Sequence, residues 1–158
     1  MTARLQSEIK QSKPFRNVET EVFLNLVRTA DALARDLEQT LKPYGLTATQ
    51  YNVLRILRGA GRAGMTCSEI SQRMVTSDPD VTRLLDRMEK RGLIHRCRGK
   101  NDRRVVTANI TLEGAELAQQ LDFPLDELHQ RQFKGWKKQE LTDLVTQLEN
   151  IREGVTGS

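Results

Sequence analysis

Hydrophobic residues recur every three or four positions near both ends of the chain. Between residues 19 and 41 this stripe consists of Val22, Leu26, Ala30, Leu33, Leu37 and Leu41. Between residues 140 and 151 it consists of Leu141, Leu144, Val145, Leu148 and Ile151. The spacing predicts two amphipathic helices. Both stripes exceed what one small lobe can cover, so we expect a second copy of the chain to cover them in a symmetric dimer.

Shorter helices are predicted in the middle of the chain. Capping boxes at Thr47 and Thr66, each with Gln or Glu three residues later, begin two of them. Asp78-Pro79 is expected to begin the next helix, with a capping carboxylate followed by a proline in the first turn. Its apolar stripe consists of Val81, Leu84, Leu85 and Met88. Two short helices joined by a brief turn are typical of a helix-turn-helix, whose second helix enters the major groove of DNA.

A hairpin follows that helix directly. Arg91-Gly92 is a helix end, residues 93–98 and 105–110 alternate as strands do, and residues 99–104 form a basic turn between them. Such a hairpin is typical of a wing. The predicted fold is therefore mainly α with a small antiparallel β wing, a winged helix-turn-helix with flanking dimerisation helices. We expect an extended arm over residues 1–18, a dimerisation helix over 19–45, the DNA-binding lobe over 46–111 and further dimerisation helices over 112–154, with a kink or break at Pro124.

Charge is concentrated in the same segment. The chain has 25 basic and 21 acidic residues, a net charge of +4. Residues 62–104 hold 11 of the basic and 6 of the acidic residues, so the whole positive excess lies there. This distribution favours a surface that meets phosphates over a solvated basic surface without a partner.

Other classes of function find little support in the sequence. No apolar run approaches the ~20 residues that cross a bilayer, and the first residues have no signal-peptide core, so we expect a cytoplasmic protein. Cys67 and Cys97 have no CxxC partner, and His95 and His129 are far apart, which argues against a metal site. With no nucleophile–base pair and no phosphate-cradling glycine loop, we expect neither an enzyme nor a cofactor.

Three motifs carry a family resemblance: residues 81–94 (VTRLLDRMEKRGLI), Asp102-Arg-Arg in the wing, and Ile110-Thr-Leu-Glu-Gly after it. With them the chain resembles the MarR family of bacterial transcriptional regulators over about residues 20–152. The resemblance implies a homodimer with interlocked outer helices, a palindromic operator, and often a small aromatic or phenolic effector held beside the winged lobe. The chain departs from relatives in having Gly135-Trp136 before its last helix, where they commonly place a capping Ser or Thr. It also lacks the early cysteine of the peroxide-sensing branch.

Candidate site residues follow from these positions. We expect Asp102 to hold the Arg104 guanidinium extended into the minor groove; the alternative is a surface salt bridge. The expected DNA contacts are Ser77, Thr82, Arg83, Arg87, Arg98, Lys100, Asp102, Arg103 and Arg104. Candidates for an effector pocket, each of which also suits an ordinary core role, are Phe23, Val27, Tyr51, Leu54 and His129. Cys67 and Cys97 fit small half-buried side chains better than redox sensors.

The sequence thus predicts a homodimeric transcriptional regulator, and the resemblance implies a repressor that a small effector releases from a palindromic operator. The alternative is a ligand-insensitive DNA-binding adaptor or architectural protein, controlled by a protein partner through its terminal helices. Stabilisation of the folded protein by aromatic acids would separate the two.

Overall fold

The computed structural model describes residues 4–157, which form two compact units, residues 4–125 and residues 126–157. Seven α-helices are present in this part of the chain: α1 (Arg4–Glu8), α2 (Val18–Leu41), α3 (Ala48–Ala60), α4 (Cys67–Arg73), α5 (Val81–Lys90), α6 (Leu112–Gln132) and α7 (Lys138–Thr156). Three strands complete the fold: β1 (Met65–Thr66), β2 (Ile94–Arg98) and β3 (Val106–Ile110). The predicted fold class, mainly helical with a small antiparallel sheet, is confirmed.

Helices α3 and α4 begin with the N-terminal caps that the sequence predicts. The Thr47 hydroxyl accepts a hydrogen bond from Gln50 N, and the Thr66 hydroxyl accepts one from Glu69 N. In both helices a side-chain oxygen of the glutamine or glutamate accepts a bond from the backbone N–H of the capping threonine. Both capping boxes predicted from the sequence are therefore confirmed.

The helix of the basic segment, α5, begins two residues later than the sequence suggested. Asp80 is its N-cap, because its carboxylate accepts a hydrogen bond from Arg83 N at 3.0 Å. The Asp78 carboxylate instead accepts a bond from Asp80 N at 2.8 Å, an Asx turn that precedes the helix. The predicted start at Asp78-Pro79 is wrong, because two aspartates compete for the cap and a turn intervenes.

The strands form one antiparallel sheet in the order β1-β3-β2. Ala108, at the centre of β3, lies opposite Met65 on one side and Arg96 on the other. The hairpin of β2 and β3 is the predicted wing. The two-residue strand β1 was not predicted, because only its pairing with β3 makes it a strand.

Two further expectations are wrong. Residues 4–8 of the expected extended arm form α1, because Leu5 is buried and the Glu8 carboxylate pairs with the Arg28 guanidinium of α2 at 3.2 Å; residues 1–3 of that arm lie outside the described part. The expected break at Pro124 is wrong, since α6 runs through that residue; a kink there stays a prediction. Buried side chains on both sides of the proline, Leu121 and Leu125, hold the flanking turns.

The core of the first unit lies between α3, α4, α5, the sheet and the first turns of α6. Its fully buried side chains include Val53, Leu54, Leu57, Ile70, Leu85, Met88, Ile94 and Leu121. The predicted stripe of α5 is confirmed, with all four members buried. By contrast, α2 buries only Leu41, and α7 has no buried residue. Across residues 4–157, no helix combines the length and the apolar character that a membrane span requires.

Candidate nucleic-acid interface

The turn between α4 and α5 is held from below by Asn52 of α3. Its side-chain oxygen accepts a hydrogen bond from Val75 N at 2.8 Å. Ser77, in the same turn, is exposed, as the expected DNA contact requires. Sequence reasoning missed Asn52, which lies 23 residues before the turn that it supports.

The solvent face of α5 carries the next three candidates. Thr82, Arg83 and Arg87 are exposed, while the opposite face of the helix is buried. The Arg83 guanidinium lies 3.4 Å from the Asp80 carboxylate, so the capping residue also steadies a cation at the helix start. The first turn of a recognition helix is where base edges are normally met, and Thr82 and Arg83 both lie in it.

The wing presents the remaining candidates on a tight turn. Gly99 N donates to Val105 O at 2.7 Å, and Val105 N donates to Asp102 O at 3.2 Å. A Cβ at Gly99 would lie 2.7 Å from Asp102 O, so only glycine fits there. The candidate side chains of β2 and the turn are all exposed: Arg98, Lys100, Asp102, Arg103 and Arg104.

Asp102 acts in this turn differently from the expectation. Its carboxylate accepts a hydrogen bond from the main-chain N–H of Arg104 at 2.9 Å. The expected contact was with the Arg104 guanidinium. The structure shows an Asx turn, in which the short aspartate side chain accepts a bond from the backbone N–H two residues later. Asp102 thereby fixes the direction in which Arg104 leaves the backbone.

An ion-pair cluster between α5 and the wing was missed at the sequence level. The Arg96 guanidinium of β2 lies 2.5 Å from the Asp86 carboxylate and 3.0 Å from the Glu89 carboxylate. The other Glu89 oxygen accepts a bond from Arg96 N at 2.7 Å. Hydrogen bonds from Arg96 lower the pKa of Glu89, and hydrogen bonds to Glu89 and Asp86 raise the pKa of Arg96. Carboxylates three residues apart on one helix face were the available signal.

The base of the hairpin is closed by Thr111. Its hydroxyl donates to Gly92 O at 2.6 Å and accepts from Gly114 N at 3.0 Å. One side chain thus caps the start of α6 and ties it to the end of α5. Arg91 reaches the other way, donating to Gly45 O at 2.5 Å. The C-terminal end of the recognition helix is therefore bonded to two neighbouring segments.

The effector candidates differ in burial. Phe23 and Val27 of α2 are exposed, Tyr51 is half-buried, and Leu54 is fully buried in the core of the first unit. Leu54 thus occupies the ordinary core role that the sequence allowed for it. His129 belongs to the second unit, where its Nδ1 lies 3.1 Å from the Gln132 side-chain oxygen.

The cysteines and metal-binding groups add no site within residues 4–157. Cys67 and Cys97 are both free thiols; Cys67 is half-buried as expected, whereas Cys97 is exposed, so the expectation of a half-buried side chain is wrong for Cys97. The Cys67 Sγ lies 3.6 Å from the Thr82 hydroxyl. The described side chains include no group of three His, Cys, Asp or Glu residues arranged to hold a metal ion.

Helices α3, α4 and α5 followed by the β2–β3 hairpin define a winged helix-turn-helix protein. A sequence model described as MarR family matches residues 46–106, which cover this lobe. The multiple antibiotic resistance protein MarR of Salmonella typhimurium is 34% identical over 118 residues, covering 74% of this chain and 81% of the relative. The chain belongs to the MarR family of transcriptional regulators.

Two further comparisons agree with this assignment. The homoprotocatechuate degradative operon repressor of Escherichia coli is 29% identical over 123 residues, covering 76% of this chain and 82% of that repressor. A crystal structure of a mutant MarR from Escherichia coli in complex with operator DNA superimposes with a TM-score of 0.78. That neighbour is 26% identical, with 88% of this chain and 99% of that chain covered. The similar proteins named here are regulators, and one is seen on its operator.

Proposed function

We propose that this protein is a homodimeric, non-enzymatic repressor that binds a palindromic operator through α5 and the wing. The observation that carries the proposal is the set of exposed cations on α5 and on the wing, two neighbouring elements of the first unit. Arg83 and Arg87 lie on the solvent face of α5, and Arg98, Lys100, Arg103 and Arg104 lie on the wing. Being exposed, these cations are accessible to phosphates and base edges.

The two elements suit different grooves. A helix about 10–12 Å wide fits the major groove, so α5 would present Thr82 and Arg83 to base edges. A thin basic turn fits the minor groove, where negative potential attracts arginine, so Arg104 would enter there. Ser77 and the remaining cations would contact phosphates and set the register of the protein on the duplex.

Dimerisation is supported by the apolar surface that the chain leaves exposed. In α2 the exposed fractions are 65% for Val18, 45% for Val22, 63% for Phe23 and 53% for Val27. In α7 the exposed fractions are 52% for Val145 and 44% for Ile151. Large apolar patches are rare on monomers, and a two-fold dimer would match the symmetry of a palindromic operator.

Release by a small aromatic or phenolic effector is the second part of the proposal. The Escherichia coli relative is named for an operon that degrades homoprotocatechuate, an aromatic acid. In this chain Phe23, Val27 and Tyr51 keep apolar surface accessible to such a molecule. As a DNA-binding regulator, the protein would act in the cytoplasm, beside the chromosome.

Footprinting on the DNA that flanks the gene tests the proposal. We expect a protected site with two-fold symmetry, and we expect release when an effective aromatic acid is added. A ligand of the native state must also raise the unfolding temperature. Protection that no aromatic acid relieves would favour the adaptor controlled by a protein partner. No protection and no affinity for duplex DNA would refute the proposed function.

A further inference from the structure

The wing is attached to the first unit at its two edges in different ways. On one edge, β3 pairs with β1, and Thr66 of β1 is also the N-cap of α4. On the other edge, β2 follows α5 after only the three residues 91–93. A hairpin attached to two different helices keeps its orientation only if both attachments are firm.

The β2 edge is fastened to α5 by side chains. Arg96, in the middle of β2, reaches back to Asp86 and Glu89 on α5, and its backbone N–H bonds the same glutamate. A single guanidinium can bridge two carboxylates because its donors form a rigid planar fork. The Arg96 side chain is 25% exposed, against 47% for Asp86 and 38% for Glu89, so the guanidinium is the best shielded group of the three.

The hydrogen bonds of the wing tip, the turn over residues 99–105, join residues of that turn to one another. The turn is closed by Gly99 N to Val105 O, by Val105 N to Asp102 O and by Arg104 N to the Asp102 carboxylate. These contacts set the shape of the tip. They do not set the angle between the tip and the recognition helix. That angle depends on the contacts that attach β2 and β3 to the rest of the first unit.

We propose that Arg96, with Asp86 and Glu89, is a positioning cluster that fixes the wing relative to α5, so that both reach their grooves on the same duplex. The inference rests on the proposed function. Arg96 itself does not serve as a phosphate contact, because its guanidinium is already shared by two carboxylates and the cluster carries a net charge of −1. Its role is exerted through the wing cations, Arg104 above all.

The substitution Glu89→Gln separates positioning from simple electrostatics. It makes the protein more positive by one charge, which by itself strengthens binding to DNA. Loosening of the wing has the opposite effect. We expect about five- to tenfold weaker binding, the range that pairwise coupling in a hydrogen-bonded cluster typically gives. Asp122→Asn is the matched control, because it also removes one carboxylate, from the Arg58–Asp122 ion pair of α3 and α6, away from the wing.

The probe is a DNA duplex selected from a random library by the unmodified protein, and affinity is measured by fluorescence anisotropy across a salt series. We expect Asp122→Asn to bind as the parent does or slightly more tightly. We expect Arg96→Met to weaken binding in the parent background and to have little further effect in an Arg104→Ala background. In the Arg104→Ala background, Arg96→Met should leave the salt slope unchanged, because the wing contact through which Arg96 acts is already lost there.

Each outcome decides a different question. Failure of the unmodified protein to bind any duplex refutes the proposed function. If the unmodified protein binds, then equal or tighter binding by Glu89→Gln overturns the positioning cluster alone. Additive losses for Arg96→Met and Arg104→Ala, with a salt slope in the double variant that is shallower than for Arg104→Ala alone, would show instead that Arg96 is an independent phosphate contact. Circular dichroism at the assay temperature verifies folding, and Arg96→Lys, which keeps the charge but loses the fork, repeats the test if Arg96→Met is unfolded.

Discussion

The backbone of Gly114 in α6 lies directly against the carbonyl oxygen of Leu93, the residue that leads from α5 into the wing. A Cβ at Gly114 would lie 2.1 Å from that oxygen and 3.0 Å from Ile110 Cγ1. The glycine that follows the wing is therefore required by close packing of α6 against the base of the hairpin. This contact and the Thr111 bonds hold the wing and the following helix together.

Gly114→Ala should destabilise the protein markedly. The added methyl group must displace backbone, which does not yield as a side chain does, so we expect a loss of about 1–3 kcal/mol in the free energy of unfolding. Gly59→Ala in α3 is the control, because a Cβ there meets nothing within 4 Å. It should stabilise the helix by about 0.5–1 kcal/mol. Urea unfolding measures both, and a neutral Gly114→Ala would contradict the packing described here.

The stability contributed by the Glu89–Arg96 pair should depend on pH. Hydrogen bonds from Arg96 hold the pKa of Glu89 below its ordinary value of 4.5. A carboxylate whose pKa is lower in the folded state contributes stability at pH values above the unfolded pKa, and this is lost as pH falls through the folded pKa. The parent should therefore be more stable than Glu89→Gln near neutral pH, and the difference should shrink below pH 4.5.

Urea unfolding of both proteins across the acid range measures this difference. Glu116→Gln, which removes an exposed carboxylate of α6, controls for the loss of one negative charge. A gap between parent and Glu89→Gln that is constant with pH would show that the ionised carboxylate is not what stabilises the cluster.

The elements that could be predicted from the sequence are those determined by residues close together in the chain. Capping boxes at Thr47 and Thr66 and the apolar stripe of α5 act within a few residues, so a linear pattern reveals them. The hairpin was accessible for the same reason, because its two strands adjoin one turn. These elements place Thr82 on a helix and Arg104 on a wing without knowledge of the tertiary structure.

The parts that sequence reasoning missed depend on contacts between distant segments. Strand β1 has two residues and exists because β3 lies beside it. Helix α6 survives Pro124 because its neighbouring turns are buried. Asn52 supports a turn 23 residues away, and the Arg96 cluster requires a known angle between α5 and β2. Apart from the three-residue spacing of Asp86 and Glu89, none of these relationships has a period or a spacing that a single sequence displays.

Leu144→Asp or Leu148→Asp should lower both dimer content and stability. Each leucine belongs to the apolar stripe of α7, which has no buried residue in the single chain, and a carboxylate without a partner in an interface is costly. Gln147→Asp, on an exposed position of the same helix, controls for the introduction of aspartate. Sedimentation at low micromolar concentration measures the species present. A folded monomer as the main species of the parent would contradict the proposed dimer.

Cys67→Ser and Cys97→Ser should leave operator affinity unchanged with or without peroxide. The sheet disfavours a disulfide between these cysteines within one chain. Thr107 of the central strand pairs with Thr66, the residue before Cys67, on one side and with Cys97 on the other. Two strand spacings place the Cα atoms of Thr66 and Cys97 about 10 Å apart, beyond the ~7 Å that a disulfide spans, and Cys67 follows Thr66 directly. Serine also preserves a polar contact with Thr82 at position 67. A peroxide response that either substitution abolishes would refute this prediction.

Arg104→Ala should weaken operator binding while folding and dimerisation remain intact, because its side chain is exposed on the wing turn. Removing one phosphate contact should reduce the slope of log affinity against log salt by about 1 per wing, or about 2 for the dimer. Asp102→Ala should cause a smaller loss, since Asp102 only directs the Arg104 backbone. Arg35→Ala, at an exposed ion pair of α2, is the control and should bind as the parent does.

The recognition helix should respond in a different way from the wing. Thr82→Ala or Arg83→Ala should alter which base pairs are preferred, with each lost base contact costing about 1–3 kcal/mol at its own position. Arg104→Ala should weaken all sequences alike, because a cation in the minor groove senses width and potential more than base identity. Binding selections from random duplexes, run beside the salt series, separate the two effects. If Arg104→Ala bound as tightly as the parent at every salt concentration, the wing would not be a DNA contact.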